Sequence, residues 1–288
     1  MSASLLRAYR LGRRLPLARR HSTAPSELEL TRHAGADAGI VTLSLNRPAA
    51  KNALSRALVA SLAQALDTLH DDRTVRALVL RSSVPRVFCA GADLKERARM
   101  SAAEIEQFLG GVRRAFGALE RLPVPTIAAL DGAALGGGLE MALCCDLRVA
   151  GPGARLGLPE TALAIIPGAG GTQRLARLVG ASRAKALVFT ARRLDARQAL
   201  DAGVVNDAAD GDGEPAYARA LQWAREIAGN GPVAVRMAKR AIDLAAAAPA
   251  AAGLDVEQLC YAQVVPTQDR LEGLRAFAEK RKPVYEGR

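Results

Sequence analysis

Apolar positions along the chain switch between two periods. Ile40-Val41-Thr42-Leu43-Ser44-Leu45 alternates apolar and polar residues, which predicts a half-buried strand ended by Asn46-Arg47-Pro48. Leu54, Leu58, Leu62, Leu66 and Leu69 then recur on one helical face. Asp71-Asp72 breaks to a second strand over Val75 to Leu80, followed by a loop from Phe88 to Leu94. Ser101 with Glu104 three positions on reads as a capping box, opening a helix that ends near Leu122, before Pro123 and Pro125. Thr126–Leu130 and Leu147–Ala150 predict a third and a fourth strand, with a buried helix between them from Gly138 to near Cys145. From Thr172 the pattern is helical over 172–179, 182–190, 195–202, 214–228, 232–247, 252–264 and 268–281. A last short strand is expected at Val204-Val205-Asn206, and the Gly- and Asp-rich 207–213 reads as a surface connection. Strands alternate with helices first and helices dominate later, so the expectation is an α/β core over residues 27–207 and a helical C-terminal region over 208–288.

Composition narrows the classes. The 288 residues, half of them apolar, suffice for one large domain or for one domain plus a helical annex. Aromatics make up 3%, too few for the stacking platforms that hold single-stranded nucleic acid. No apolar stretch reaches the roughly 20 residues that span a bilayer. The net charge of +11 is unevenly placed: six of those charges, Arg7, Arg10, Arg13, Arg14, Arg19 and Arg20, lie in residues 1–26, which contain no acid. That leader is dotted with leucines and ends near Arg19-Arg20-His21-Ser22-Thr23, and it reads as a mitochondrial transit peptide, with the matrix as the expected compartment. Cys89, Cys144, Cys145 and Cys260 lack metal-ligand spacing and the chain has three His, so reduced, packed thiols and no metal site are expected.

Two glutamates carry the candidate chemistry: Glu140 in Gly136-Gly137-Gly138-Leu139-Glu140, and Glu160 in Leu158-Pro159-Glu160-Thr161. Taken singly, the first reads equally as a solvated first-turn glutamate and the second as a loop carboxylate. Brought to one cleft, two carboxylates can divide acid and base roles.

Four stretches in order settle the choice between these readings. They are Phe88-Cys89-Ala90-Gly91-Ala92-Asp93-Leu94, Asp131 through Glu140, Cys145-Asp146-Leu147-Arg148, and Pro159-Glu160 through Gly168-Ala169-Gly170-Gly171-Thr172-Gln173-Arg174-Leu175. At this spacing the chain resembles the crotonase (enoyl-CoA hydratase) superfamily over residues 28–288. The resemblance implies a crotonase-like spiral of ββα units with an α-helical C-terminal oligomerisation region. It also implies a homotrimer or dimer of trimers, and an acyl-CoA thioester as substrate, so that CoA is part of the substrate and no separate cofactor is needed. By the same resemblance, the N–H groups of Ala92 and Gly137 stabilise the enolate oxygen, with Gly91 and Gly136 allowing close backbone approach. Glu140 activates water for attack at C3 and Glu160 delivers a proton to C2, in a syn addition. Asp93, Leu94, Lys95, Pro167, Gly168 and Lys280, with Lys282 beside it, are expected along the acyl and CoA path.

Retention of both acids favours a hydratase over an isomerase. The stretches 88–100, 122–132, 160–175 and 260–281 resemble most the branch that converts 3-methylglutaconyl-CoA to 3-hydroxy-3-methylglutaryl-CoA in leucine degradation. The alternatives are a general short-chain enoyl-CoA hydratase or isomerase and, in another class, an AU-rich RNA-binding protein. RNA binding in that branch is linked to a lysine-rich helix. The matching stretch, Lys51 to Arg81, has only Arg56 as a cation between Leu54 and Leu69, so the row of cations that phosphates require is largely missing.

Overall fold

The computed structural model describes residues 26–245 and 250–288. The expected leader therefore lies outside the described residues, apart from Ser26. The main sheet runs in the order β1 (Leu28–Arg32), β2 (Ile40–Leu45), β3 (Ala77–Ser82), β5 (Thr126–Leu130), β7 (Leu147–Ala150) and β9 (Asp207–Ala208). β1 is antiparallel to β2 and every other neighbour is parallel. A second, wholly parallel sheet joins β4 (Val87–Cys89), β6 (Ala133–Leu135) and β8 (Arg155–Gly157). The helices are α1 (Arg56–His70), α2 (Leu94–Arg97), α3 (Ala102–Glu120), α4 (Gly137–Ala142), α5 (Gly171–Val179), α6 (Ala181–Phe189), α7 (Ala196–Asp201), α8 (Pro215–Ala228), α9 (Pro232–Ala245), α10 (Ala250–Val264) and α11 (Gln268–Ala278). This is the mixed α/β architecture with C-terminal helices expected from sequence. Among the described residues, no helix is long and apolar enough to cross a membrane.

Parallel strands are buried on both faces because their crossovers cover them. One face of the main sheet (Val41, Leu43, Leu45, Leu78, Leu80) packs against the leucines of α1 and against Phe108, Val112, Phe116 and Leu119 of α3. The other face (Ile40, Ala77, Val79, Ile127, Val149) packs against Ala216, Ala220 and Ala224 of α8. This second layer corrects the half-buried reading of β2, in which all six residues are buried. The Thr42 hydroxyl is satisfied inside the fold by the His33 ring at 2.9 Å and the Tyr217 hydroxyl at 3.3 Å. α8 belongs to the segment read as a helical C-terminal region, yet its small-residue face forms part of the core.

Local signals fix several boundaries. The Ser101–Glu104 capping box closes reciprocally at 3.3 and 2.9 Å. α1 starts two residues later than its leucine pattern suggests, because Ser55 is its N-cap and accepts from Leu58 N–H at 3.0 Å. Leu54 instead pairs with the Ala92 segment: its N–H donates to Gly91 O at 2.7 Å and its O accepts from Asp93 N–H at 3.3 Å. The strand expected at Val204–Asn206 lies one step later, at β9. Val204 and Val205 turn into the core, and the Asn206 side-chain oxygen accepts from Arg148 N–H at 2.9 Å. All four cysteines are buried and unbridged.

Candidate active site

The three strands of the small sheet end at one place. β4 leads into Ala90–Asp93, β6 into Gly136–Gly137, and β8 into Pro159–Glu160. Parallel pairing puts all three carboxyl ends on one edge, where ligands bind in open α/β sheets. They open into a cleft of about 820 Å³ whose wall includes Ala92, Gly137, Glu140 and Glu160.

Backbone approach there is close enough to exclude side chains. Gly91 has φ +93°, and a Cβ on it would lie 2.7 Å from Leu135 O. A Cβ on Gly138 would lie 2.2 Å from Cys89 O, so α4 rests directly on β4. This packing brings two N–H groups together: a Cβ on Gly137 would be 3.9 Å from the Ala92 nitrogen. Gly137 is the first residue of α4, so its N–H has no intrahelical acceptor. The Ala92 N–H makes no backbone hydrogen bond among the described residues. Two free donors at a helix N-terminus form a ready site for a developing oxyanion.

The carboxylates are buried beside this pair but differ in their partners. Glu140, 3% exposed, accepts on Oε1 from the N–H groups of Ala169 and Gly171, each at 2.8 Å. Burial pushes its carboxyl upward, opposed by these two bonds and by the charges of Arg174 and Arg113. A Cβ on Gly171 would meet Glu140 Cγ at 2.9 Å, so the clamp requires that glycine. Glu160, 9% exposed, sits in the 3-10 turn Pro159–Leu163, and its buried Oε2 has no hydrogen-bond partner among the described residues. Burial raises its carboxyl to about 7, with the Glu140 charge adding to the rise. Burial raises both carboxyls, but at Glu140 two backbone donors oppose the rise, whereas Glu160 is kept near half-protonation at neutral pH, an asymmetry that acid–base chemistry can use.

The profile described as enoyl-CoA hydratase/isomerase matches residues 35–288. The chain belongs to the enoyl-CoA hydratase/isomerase family. It is 53% identical over 266 residues to "Probable enoyl-CoA hydratase 2, mitochondrial" of Arabidopsis thaliana, covering 92% of this chain and 88% of that protein. It is 53% identical over 251 residues to "Methylglutaconyl-CoA hydratase, mitochondrial" of Homo sapiens, covering 86% of this chain and 74% of that protein. The crystal structure of an enoyl-CoA hydratase from Bacillus anthracis superposes with a TM-score of 0.87 at 44% identity, covering 91% of this chain and all of that one. The chain is a hydratase-type lyase of this family.

The other residues singled out in this hydratase's sequence fall in four places. Gly91, Leu94, Gly136, Pro167 and Gly168 line the cleft with the two acids. Asp93 is engaged elsewhere: it caps α2 through Glu96 N–H at 3.1 Å and pairs with Arg47 at 2.8 Å, so it holds the Ala92 loop in place rather than facing the cleft. Lys95 lies in an adjoining opening of about 1200 Å³, together with Lys51 and Arg99. Lys280, exposed just past α11 with φ +54°, is not among the described residues lining the cleft.

The sequence reading did not single out the Ala169 and Gly171 clamp on Glu140, although both residues belong to the quoted 168–171 run. It also passed over Arg97, Arg113 and Arg193, which line the cleft. Arg97 stands in the quoted 88–100 stretch, where nothing local marks it as facing inward.

Proposed function

We propose that this hydratase adds water syn across the 2,3 double bond of an enoyl-CoA, and that its preferred reaction is 3-methylglutaconyl-CoA to 3-hydroxy-3-methylglutaryl-CoA. The observation that carries the hydration reading is the pair of buried acids, Glu140 clamped by two backbone N–H groups and Glu160 with no hydrogen-bond partner for its buried Oε2 among the described residues, beside two free N–H donors. The thioester oxygen accepts from Ala92 and Gly137, which stabilises the enolate as charge develops. Ionised Glu140 takes one proton from water as its oxygen bonds to C3. Glu160, in its acid form, gives a proton to C2; solvent then carries the proton gained by Glu140 back to Glu160, so that both acids are restored and one water is consumed. Both acids serve one face of the substrate, hence the syn outcome.

The substrate assignment rests on the methylglutaconyl-CoA hydratases of human, mouse and rat, which are 51–53% identical to this chain. The mitochondrial names of these relatives and the basic leader support a matrix enzyme of leucine degradation, with residues 1–26 as a transit peptide. Assembly as a trimer or dimer of trimers is supported by apolar side chains exposed in the C-terminal helices, among them Leu254, Leu259 and Phe277. The RNA-binding alternative finds little support in α1: its Arg56 is paired with Glu104 at 3.1 Å. Steady-state kinetics on 3-methylglutaconyl-CoA and crotonyl-CoA test the assignment. The expected kcat/KM favours 3-methylglutaconyl-CoA by at least about tenfold; a preference for crotonyl-CoA would make this a general short-chain hydratase.

A further inference from the structure

A substrate acyl group ending in a carboxylate needs a cation inside an otherwise apolar cleft, because burying an unpaired charge is strongly unfavourable. The cleft wall is mostly apolar, with Leu94, Phe108, Val112, Leu163 and Ile166, and three arginines also line it: Arg97, Arg113 and Arg193. Their circumstances differ. Arg113 is committed, donating from Nε to Gly168 O at 2.8 Å. Arg193 is exposed. The Arg97 side chain has no ion pair or hydrogen bond among the described residues; its Nε is sealed from solvent, so its two terminal nitrogens are the donors open to a ligand. The acids nearest in sequence are taken by other arginines: Asp93 pairs with Arg47 at 2.8 Å, and Glu96 and Glu104 pair with Arg56 at 4.0 and 3.1 Å.

Position reinforces the point. Arg97 closes α2, the single helical turn that begins directly after the oxyanion donor Ala92 and is capped by Asp93, itself tied to Arg47. That turn holds the base of the Arg97 side chain beside the Ala92 loop. The carboxyl carbons of a five-carbon diacid lie roughly 5 Å apart, counting four bonds of about 1.5 Å, a span short enough for both ends to lie in one cleft. The Arg97 guanidinium carbon lies 5.7 Å from the centroid of Phe108, a buried ring that helps to hold its plane. The two terminal nitrogens of a planar guanidinium match a carboxylate in two-point contact.

We propose that Arg97 is a specificity-determining residue that binds the distal carboxylate of a dicarboxylic acyl-CoA. This deepens the 3-methylglutaconyl-CoA reading, but it can be tested without turnover of that compound. The assay is crotonyl-CoA hydration, with glutaryl-CoA and butyryl-CoA as competitive inhibitors, for the wild type, R97M and the charge-retaining R97K.

In the wild type, glutaryl-CoA is expected to inhibit more tightly than butyryl-CoA. R97M should raise the inhibition constant of glutaryl-CoA about 100-fold and that of butyryl-CoA by less than about threefold, with R97K between wild type and R97M for glutaryl-CoA. Equal shifts for both inhibitors would make Arg97 merely structural and overturn the proposal, as would a wild type that does not prefer the diacid. A wild type that prefers glutaryl-CoA through Arg97 but fails to hydrate 3-methylglutaconyl-CoA would leave the carboxylate site standing and remove only the substrate assignment.

Discussion

E160Q lowers kcat by about 10²- to 10⁴-fold while leaving the chain folded, because an amide fills the same space but cannot deliver a proton to C2. E140Q is expected to lose a similar amount through loss of the base that activates water. The Glu160 variant has a second signature. Its carboxyl is raised from 4.5 to about 7 by burial and by the Glu140 charge. In the wild type, kcat/KM should therefore fall as pH rises through about 7 and the acid form is lost. Stability follows the same sign. Below pH 4.5 the native and unfolded chains both hold this proton. Between 4.5 and about 7 the unfolded chain releases it first, and above about 7 the native state carries a deficit of about 3 kcal/mol. E160Q removes that deficit. Urea unfolding at pH 8 should show the variant more stable than the wild type, by up to about 3 kcal/mol relative to their difference at pH 4.5. A variant that is inactive yet gains stability only at the higher pH separates a functional acid from a structural one. Normal turnover by E160Q would remove the role assigned to it.

G138A should have the largest effect on the fold and on the site together. A Cβ at this position would lie 2.2 Å from Cys89 O and 2.8 Å from Cys89 Cβ. Two of the three nearest atoms are strand backbone, so α4 must move away from β4. The overpacking cost is about 3 kcal/mol or more, and the Gly137 N–H moves with the helix, which disrupts the oxyanion pair. Gly180 supplies the contrast. It has φ +85° and ψ 152° and no atom within 4 Å of its would-be Cβ, so G180A bears only backbone strain of about 1–3 kcal/mol and is expected to keep its turnover. Urea midpoints, with turnover measured below each variant's unfolding range, check the pair. Equal behaviour of the two would mean that the approach of α4 to β4 is not what builds the site.

Legibility in the sequence followed element length and the range of the signal. β5 and β7 match the stretches read as strands, and the Ser101–Glu104 cap announced α3, because each carries its own local pattern. The small sheet was invisible: β4, β6 and β8 have three residues each, too few for an alternation to register. Yet these strands carry the site, so the glycines and acids at their ends were read through family resemblance rather than through secondary structure. β2 misled because Thr42 and Ser44 are polar residues facing a second buried layer, and α8, which makes that layer, lies about 170 residues away in the chain. The Glu140 clamp and the unpaired Arg97 depend on tertiary contacts with no sequence periodicity at all.

In the proposed reaction Glu140 and Glu160 serve the same face of a bound enoyl thioester, opposite the Ala92 and Gly137 donors. Hydration of crotonyl-CoA in D₂O, with the relative configuration of the 2-deuterio-3-hydroxybutyryl product read from its proton couplings, tests that placement. A single diastereomer is expected, with deuterium and hydroxyl added syn. An anti product, or a mixture of both, would rule it out.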